Sequence, residues 1–201
     1  MNFSTKELVM MAVFGALWGA VEISLGSVLK ALHLPFNGAL LAAAGLAIAL
    51  TGRLFVPRRG ATLFIGVIAT LLKLFSIGGV VLGPMVGILS EALLAELALS
   101  LFGKPSRVAF LLAGALGVCW TVIQPFVTGA LLFGRDMLEV WLELVNQGRR
   151  LLGLGSGAAV WIAIVLVAMH ALLGALSGWL AWEAGKQLNV RLSGDIVFQN
   201  H

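Results

Sequence analysis

Long apolar runs alternate along the chain with short polar breaks. A helix needs about 20 mainly apolar residues to cross hydrocarbon. The runs at roughly 8–30, 36–52, 60–77, 80–103, 107–134 and 158–184 each meet that requirement. A different pattern covers 136–152. Leu138, Trp141, Leu142 and Val145 fall on one helical face, with Glu139, Glu143, Asn146 and Arg150 on the other. Asp136 at its start and Arg149 and Arg150 at its end match the helix dipole. The pattern predicts an all-α protein: a membrane bundle of six spanning helices and an extra amphipathic helix lying on the outer interface.

Composition agrees. The 201 residues are 60% hydrophobic and 11% charged, where a soluble domain carries roughly 25% charged residues. One transmembrane domain accounts for the whole chain, and the first run is long enough to be retained as a span. The lone Cys119 lies inside a run, so no disulfide framework is expected. The net charge of +4 speaks of orientation and not of nucleic acid. Six spans put Lys6, Arg53, Arg58, Arg59, Lys104, Arg107, Lys186 and Arg191 on one side, and Lys30, Lys73, Arg135, Arg149 and Arg150 on the other. The positive-inside rule then places both termini in the cytoplasm of a multi-pass cell-membrane protein.

Four ionisable residues interrupt the apolar runs: Glu22, Lys73, Glu91 and Glu96. A charge in hydrocarbon is costly and is kept where it meets a partner, a cavity or a substrate. Counting about 1.5 Å per residue along each helix, Glu22, Lys73, Glu91, Trp120, Gln124 and Trp161 fall at mid-depth or in the outer half. Asn37 opens the second span after the short loop containing Pro35. These seven residues are the candidate lining of a polar cavity open to the outside. Carboxylates accept hydrogen bonds or pair with cations, indoles stack on rings, and Gln124 offers both donor and acceptor. The competing reading has Lys73 and Glu91 neutralising one another as a buried pair. Glu96 points about 140° away from Glu91 and sits deeper. His170 reads as a packing histidine. A cover over the ligand is expected from the amphipathic helix, through Leu138, Trp141 and Leu142, with the loops at 34–37 and 76–83.

Ala12, Ala16 and Ala20 recur at four-residue spacing in the first span, beside Gly15 and Gly19. Such a stripe lets another helix approach closely, either within the bundle or on a partner chain. Pro125 should kink the fifth span. No phosphate loop is present, since the Gly129–Gly134 spacing continues as Arg135-Asp136. No zinc signature is present either, so no metal or other cofactor is expected. Gly153-Leu154-Gly155-Ser156-Gly157 has Leu154 where the G-x-S-G signature of an intramembrane serine protease needs glycine.

The alanine stripe, the six-span length, the stretch Gly83-Pro84-Met85-Val86-Gly87-Ile88 with Ala95-Glu96, the opening Lys6-Glu7-Leu8-Val9-Met10-Met11 and the Arg59-Gly60-Ala61 start of span three carry a resemblance. Over roughly residues 5–103 the chain resembles the substrate-binding S components of energy-coupling factor (ECF) vitamin transporters. Within them it is most similar to the branch for thiamine precursors (hydroxymethylpyrimidine). Lys73 departs from that branch, which has an acidic residue there. The resemblance implies a capture subunit, not an enzyme, that binds a small water-soluble vitamin from outside. It also implies docking through Ala12, Ala16 and Ala20 on a transmembrane coupling subunit, with two ATPase subunits on other chains. The alternatives are a small intramembrane enzyme using Glu91 or Glu96 as acid/base, and a structural membrane subunit.

Overall fold

The computed structural model describes residues 3–32, 36–75, 82–103, 105–153 and 158–198. Among them it shows seven helices and no strand: α1 (Thr5–Ala31), α2 (Asn37–Phe55), α3 (Ala61–Lys73), α4 (Leu82–Phe102), α5 (Arg107–Phe133), α6 (Met137–Leu152) and α7 (Ala159–Phe198). Local sequence explains several of their ends. Ser4 and Glu7 form a capping box at α1: Ser4 Oγ accepts from the Glu7 N–H at 3.3 Å, and Glu7 Oε2 accepts from the Ser4 N–H at 2.7 Å. Ser106 caps α5 and Asp136 caps α6 in the same way. Gly134 and Gly153 end α5 and α6 in the left-handed conformation. α5 continues through Pro125 as one helix.

Five segments are long and apolar enough to cross a membrane: Thr5–Leu29, Asn37–Phe55, Leu82–Phe102, Arg107–Ala130 and Ala159–Gln187. The third run departs from the expected 60–77. Its helix has 13 residues and ends at Lys73, so at 1.5 Å per residue it reaches only about 20 Å. Lys73 turns its ammonium onto α1, and the chain tightens as Leu74 and Phe75 bond back to the carbonyls of Leu71 and Leu72. Residues 76–81 lie outside the described residues, as does most of the expected cover at 34–37 and 76–83. α7 runs beyond the expected 184. Its polar extension contains no proline to stop it.

The helices arrange so that the start of α1 meets the α2–α3 connection, where Arg58 pairs with Glu7 at 3.0 Å. α5 and α7 share the most extensive interface. There Gly114 faces Gly174, and Gly178 faces Phe110, so closely that an added Cβ would strike backbone. Small residues allow this approach, the usual basis of tight helix association in lipid. The core is correspondingly rich in alanine: Ala39, Ala42, Ala49, Ala61, Ala69, Ala92, Ala95, Ala98, Ala109 and Ala113 are buried. Large residues such as Val9, Leu17, Leu101 and Leu172 are exposed. This distribution suits a hydrocarbon solvent.

α3 is short and begins with the unpaired N–H groups every helix start leaves. Glu96, from the middle of α4, supplies the missing acceptors. Its Oε1 takes the Gly60 N–H at 2.7 Å and its Oε2 the Thr62 N–H at 3.0 Å. Ser100 Oγ donates to the same carboxylate at 2.9 Å, and buried Arg53 lies 3.7 Å away. Arg53 in turn donates to the carbonyls of Val56 and Arg58. Glu96 is therefore a structural capping group that holds the α2–α3 connection against α4.

α6 packs on α5 and α7, with Gly148 against Ile162 and Val140 beside Gly129. Val140 and Val145 are buried, whereas Leu138 and Leu142 are exposed. This corrects the expected apolar cover at Leu138 and Leu142, whereas Trp141 packs against the cluster of Val145, Ile162 and Leu166. The α6 face turned to the protein is centred on Val145 and Gly148, and Leu138 and Leu142 look away from it. Arg135 bonds Glu139 and Glu143 at 3.2 and 2.9 Å, which holds its guanidinium above the usual range.

Candidate functional site

One large aromatic side chain fills the contact of α1 with α2 and α3. Trp18, on α1, is fully buried. It fits because α2 offers Gly45 and α3 offers Gly66 along its indole. Ala92 of α4 packs on Gly66 from the other side. The indole N–H is buried and lacks a well-formed hydrogen bond, although it approaches Glu22 one helical turn further on. Trp18 escaped the sequence reading because a tryptophan in an apolar run carries no distinguishing signal. The glycines that accommodate it lie on other helices.

Glu22 and Lys73 are both buried and belong together. Lys73 Nζ lies 3.3 Å from Glu22 Oε2 and 3.1 Å from the Glu22 backbone carbonyl. The alternative pairing of Lys73 with Glu91 does not form. The reason is positional: Lys73 closes α3 against α1, and these two helices pack extensively through Gly15 on Ile68 and Gly19 on Leu72.

Glu91 is 4% exposed, and its Oε2 has no hydrogen-bond partner. It sits on α4 one turn after Gly87 and two after Gly83, a single helical face turned toward α5. Gly117 of α5 approaches the Glu91 backbone carbonyl, with 3.3 Å left for an added Cβ. Two turns along, Gln124 donates from Nε2 to the Gly83 carbonyl at 2.9 Å and lies over Gly87. Trp120 falls between these two α5 contacts, and its buried Nε1 is also unpartnered. Glu91 on α4 and Trp120 on α5 thus both belong to the stretch where these two helices pack. Each leaves a buried polar atom without a partner, a condition that costs roughly 1–3 kcal/mol per group.

The remaining candidates divide. Asn37 is the first residue of α2 and half-buried. Trp161 is 67% exposed, so it lines no enclosed site. It differs from its neighbour Ile162, which is buried against α6. His170 is buried, with Nδ1 2.6 Å from the Leu166 carbonyl and its ring edge-on to Phe36. It is a satisfied packing residue. Among the described residues no group of histidine, cysteine or carboxylate side chains could hold a metal.

Ala12, Ala16 and Ala20 are exposed, while Gly15 and Gly19 beside them are buried against α3. The glycines are thus the bundle contact and the alanines form an open strip. Ser24 extends the strip by one turn and folds its hydroxyl back onto the Ala20 carbonyl at 2.7 Å.

Among the described residues the interior offers the Glu22–Lys73 and Glu96–Arg53 pairs, the unpaired carboxyl of Glu91 and the indole N–H groups of Trp18 and Trp120. Comparison of the chain with protein-family models, curated proteins and solved structures gives no match.

Proposed function

We propose that the chain is the substrate-capture subunit of an ECF-type importer, with six spans and both termini in the cytoplasm. It binds a small water-soluble vitamin or precursor, with a thiamine or hydroxymethylpyrimidine-like molecule favoured. The observation that carries the reading is the pair of unpartnered buried polar atoms on Glu91 and Trp120. Such groups are normally satisfied in a finished interior, and a ligand with ring and nitrogen donors would satisfy them. The residues proposed to bind it are Glu91, Trp120 and Gln124, supported from behind by Trp18 and the Glu22–Lys73 pair. Asn37 lies within the proposed outer entrance. Trp161 contributes from the outer face of α7 at most.

The exposed strip of Ala12, Ala16 and Ala20 supports docking on a coupling subunit, with ATPase subunits carried on other chains. The enzyme reading is weakened by Glu96, whose two oxygens are already engaged in capping α3. The test is purification of the tagged chain from its native membrane. Co-purifying ATPase and coupling subunits, with loss of both in Ala16→Trp, is the expected outcome. A chain that purifies alone under conditions that preserve membrane complexes would count against an importer subunit.

A further inference from the structure

Glu91 differs from every other carboxylate in the interior. Glu22 has Lys73, and Glu96 has two backbone N–H groups, Ser100 and Arg53. Among the described residues Glu91 has no counter-charge. The elements packed on α4 supply none: α3 contributes Lys73, which Glu22 already holds. α5 has no charged residue between its first residue, Arg107, and its end. α2 brings only Arg53, at the opposite end beside Glu96. A carboxylate anion sealed from water without a counter-charge is strongly disfavoured, whereas a neutral carboxylic acid at the same place is tolerated.

From this we infer that Glu91 holds a proton while the site is empty, and gives it up to water when a ligand bearing a cationic nitrogen enters. The inference rests on the capture reading above. In the exchange the Glu91 O–H bond breaks, the proton leaves to solvent, and the resulting carboxylate is paired with the ligand's cationic nitrogen. The site then carries an added anion and an added cation, so its net charge is unchanged. Two consequences follow from the geometry. Neutral analogues, which cannot replace the proton's charge, bind more weakly than cations of the same shape. Binding of a cation tightens as the medium becomes more alkaline, because proton release is part of the event.

Infrared spectroscopy of the purified full-length chain, washed free of ligand at neutral pH, tests the proton directly. The expected spectrum contains a protonated-carboxyl C=O stretch that disappears in Glu91→Gln and survives in both Glu22→Gln and Glu96→Gln. Should Glu91→Gln fail to fold, Glu91→Asp serves instead and must shift the band. A wild-type spectrum without the band, or a band indifferent to position 91, overturns the inference. Adding thiamine, a monocation, should abolish the band and release about one proton per molecule bound in calorimetry across buffers of different ionisation enthalpy. Bound thiamine with the band intact also overturns it. Failure of thiamine to bind removes the favoured ligand of the capture reading, while the ligand-free band still decides where the proton sits.

Discussion

Lys73 Nζ and Glu22 Oε2 lie 3.3 Å apart, both buried, and this pair takes up the one lysine on the helices packed against α4. With the lysine held on α1, Glu91 is left without a cation. Removing one member of a buried pair strands the other, at a cost of about 3–5 kcal/mol. Lys73→Met should therefore lower the unfolding midpoint in detergent markedly. The double variant Glu22→Gln with Lys73→Met should recover much of the loss. Equal damage in the single and double variants would mean that the pair is not closed in the folded protein.

Glu96 gives the opposite expectation. It caps α3 from the following helix, so Glu96→Ala leaves two helix N–H groups without an acceptor and buried Arg53 without its counter-charge. The expected loss is about 3 kcal/mol or more, at 1–3 kcal/mol for each stranded group. Ligand binding by the folded fraction should be unchanged, because Glu96 has no free oxygen facing Glu91. Thermal unfolding and binding measured on the same preparation separate the two effects.

At the α5–α7 crossing, Gly174→Ala pushes a methyl group into the Gly114 carbonyl. Overpacking of this kind costs about 1–3 kcal/mol. Gly38→Ala is the control, since nothing lies within 4 Å of an added Cβ there. A helical glycine replaced by alanine at such an open position should gain up to about 1 kcal/mol. The two variants should move the unfolding midpoint in opposite directions.

Side by side on α1, Ala16 and Gly15 separate partner docking from internal packing. Gly15→Leu collides with Ile68 of α3 and should destabilise the isolated subunit. Ala16→Trp should leave its stability and ligand binding intact and abolish assembly with the coupling subunit. Unfolding curves and pull-down of both variants check this. Destabilisation by Ala16→Trp equal to that of Gly15→Leu would place the alanine strip inside the bundle.

The helical architecture was legible because burial in hydrocarbon writes itself as uninterrupted apolar length. Helix ends followed where caps are local, as at Ser4 and Asp136. What stayed hidden depends on contacts between distant segments. The early end of α3 follows from Lys73 reaching across to Glu22, and its N-terminal cap comes from Glu96, 36 positions away from Gly60. Depth alone placed Trp161 with Trp120, but rotation about α7 turns Trp161 outward. The seam face of α6 was legible only through Trp141 and Val145, for a related reason: Gly148, which carries no apolar signal, is the residue that lets the helix seat on Ile162. The alanine strip and the flanking glycines were visible as one small-residue band. Only the packing of α1 on α3 divides them into an open and a closed face.

The central claim, that the interior holds a captured small molecule at Glu91 and Trp120, is tested most directly by native mass spectrometry of the chain released gently from its own membrane. The account predicts a bound species of a few hundred daltons at most on the wild-type chain. Its occupancy should fall in Glu91→Gln and in Trp120→Ala, by about 1–3 kcal/mol in binding for the carboxylate. The same occupancy in all three proteins, or a wild-type chain that carries only lipid, would contradict it.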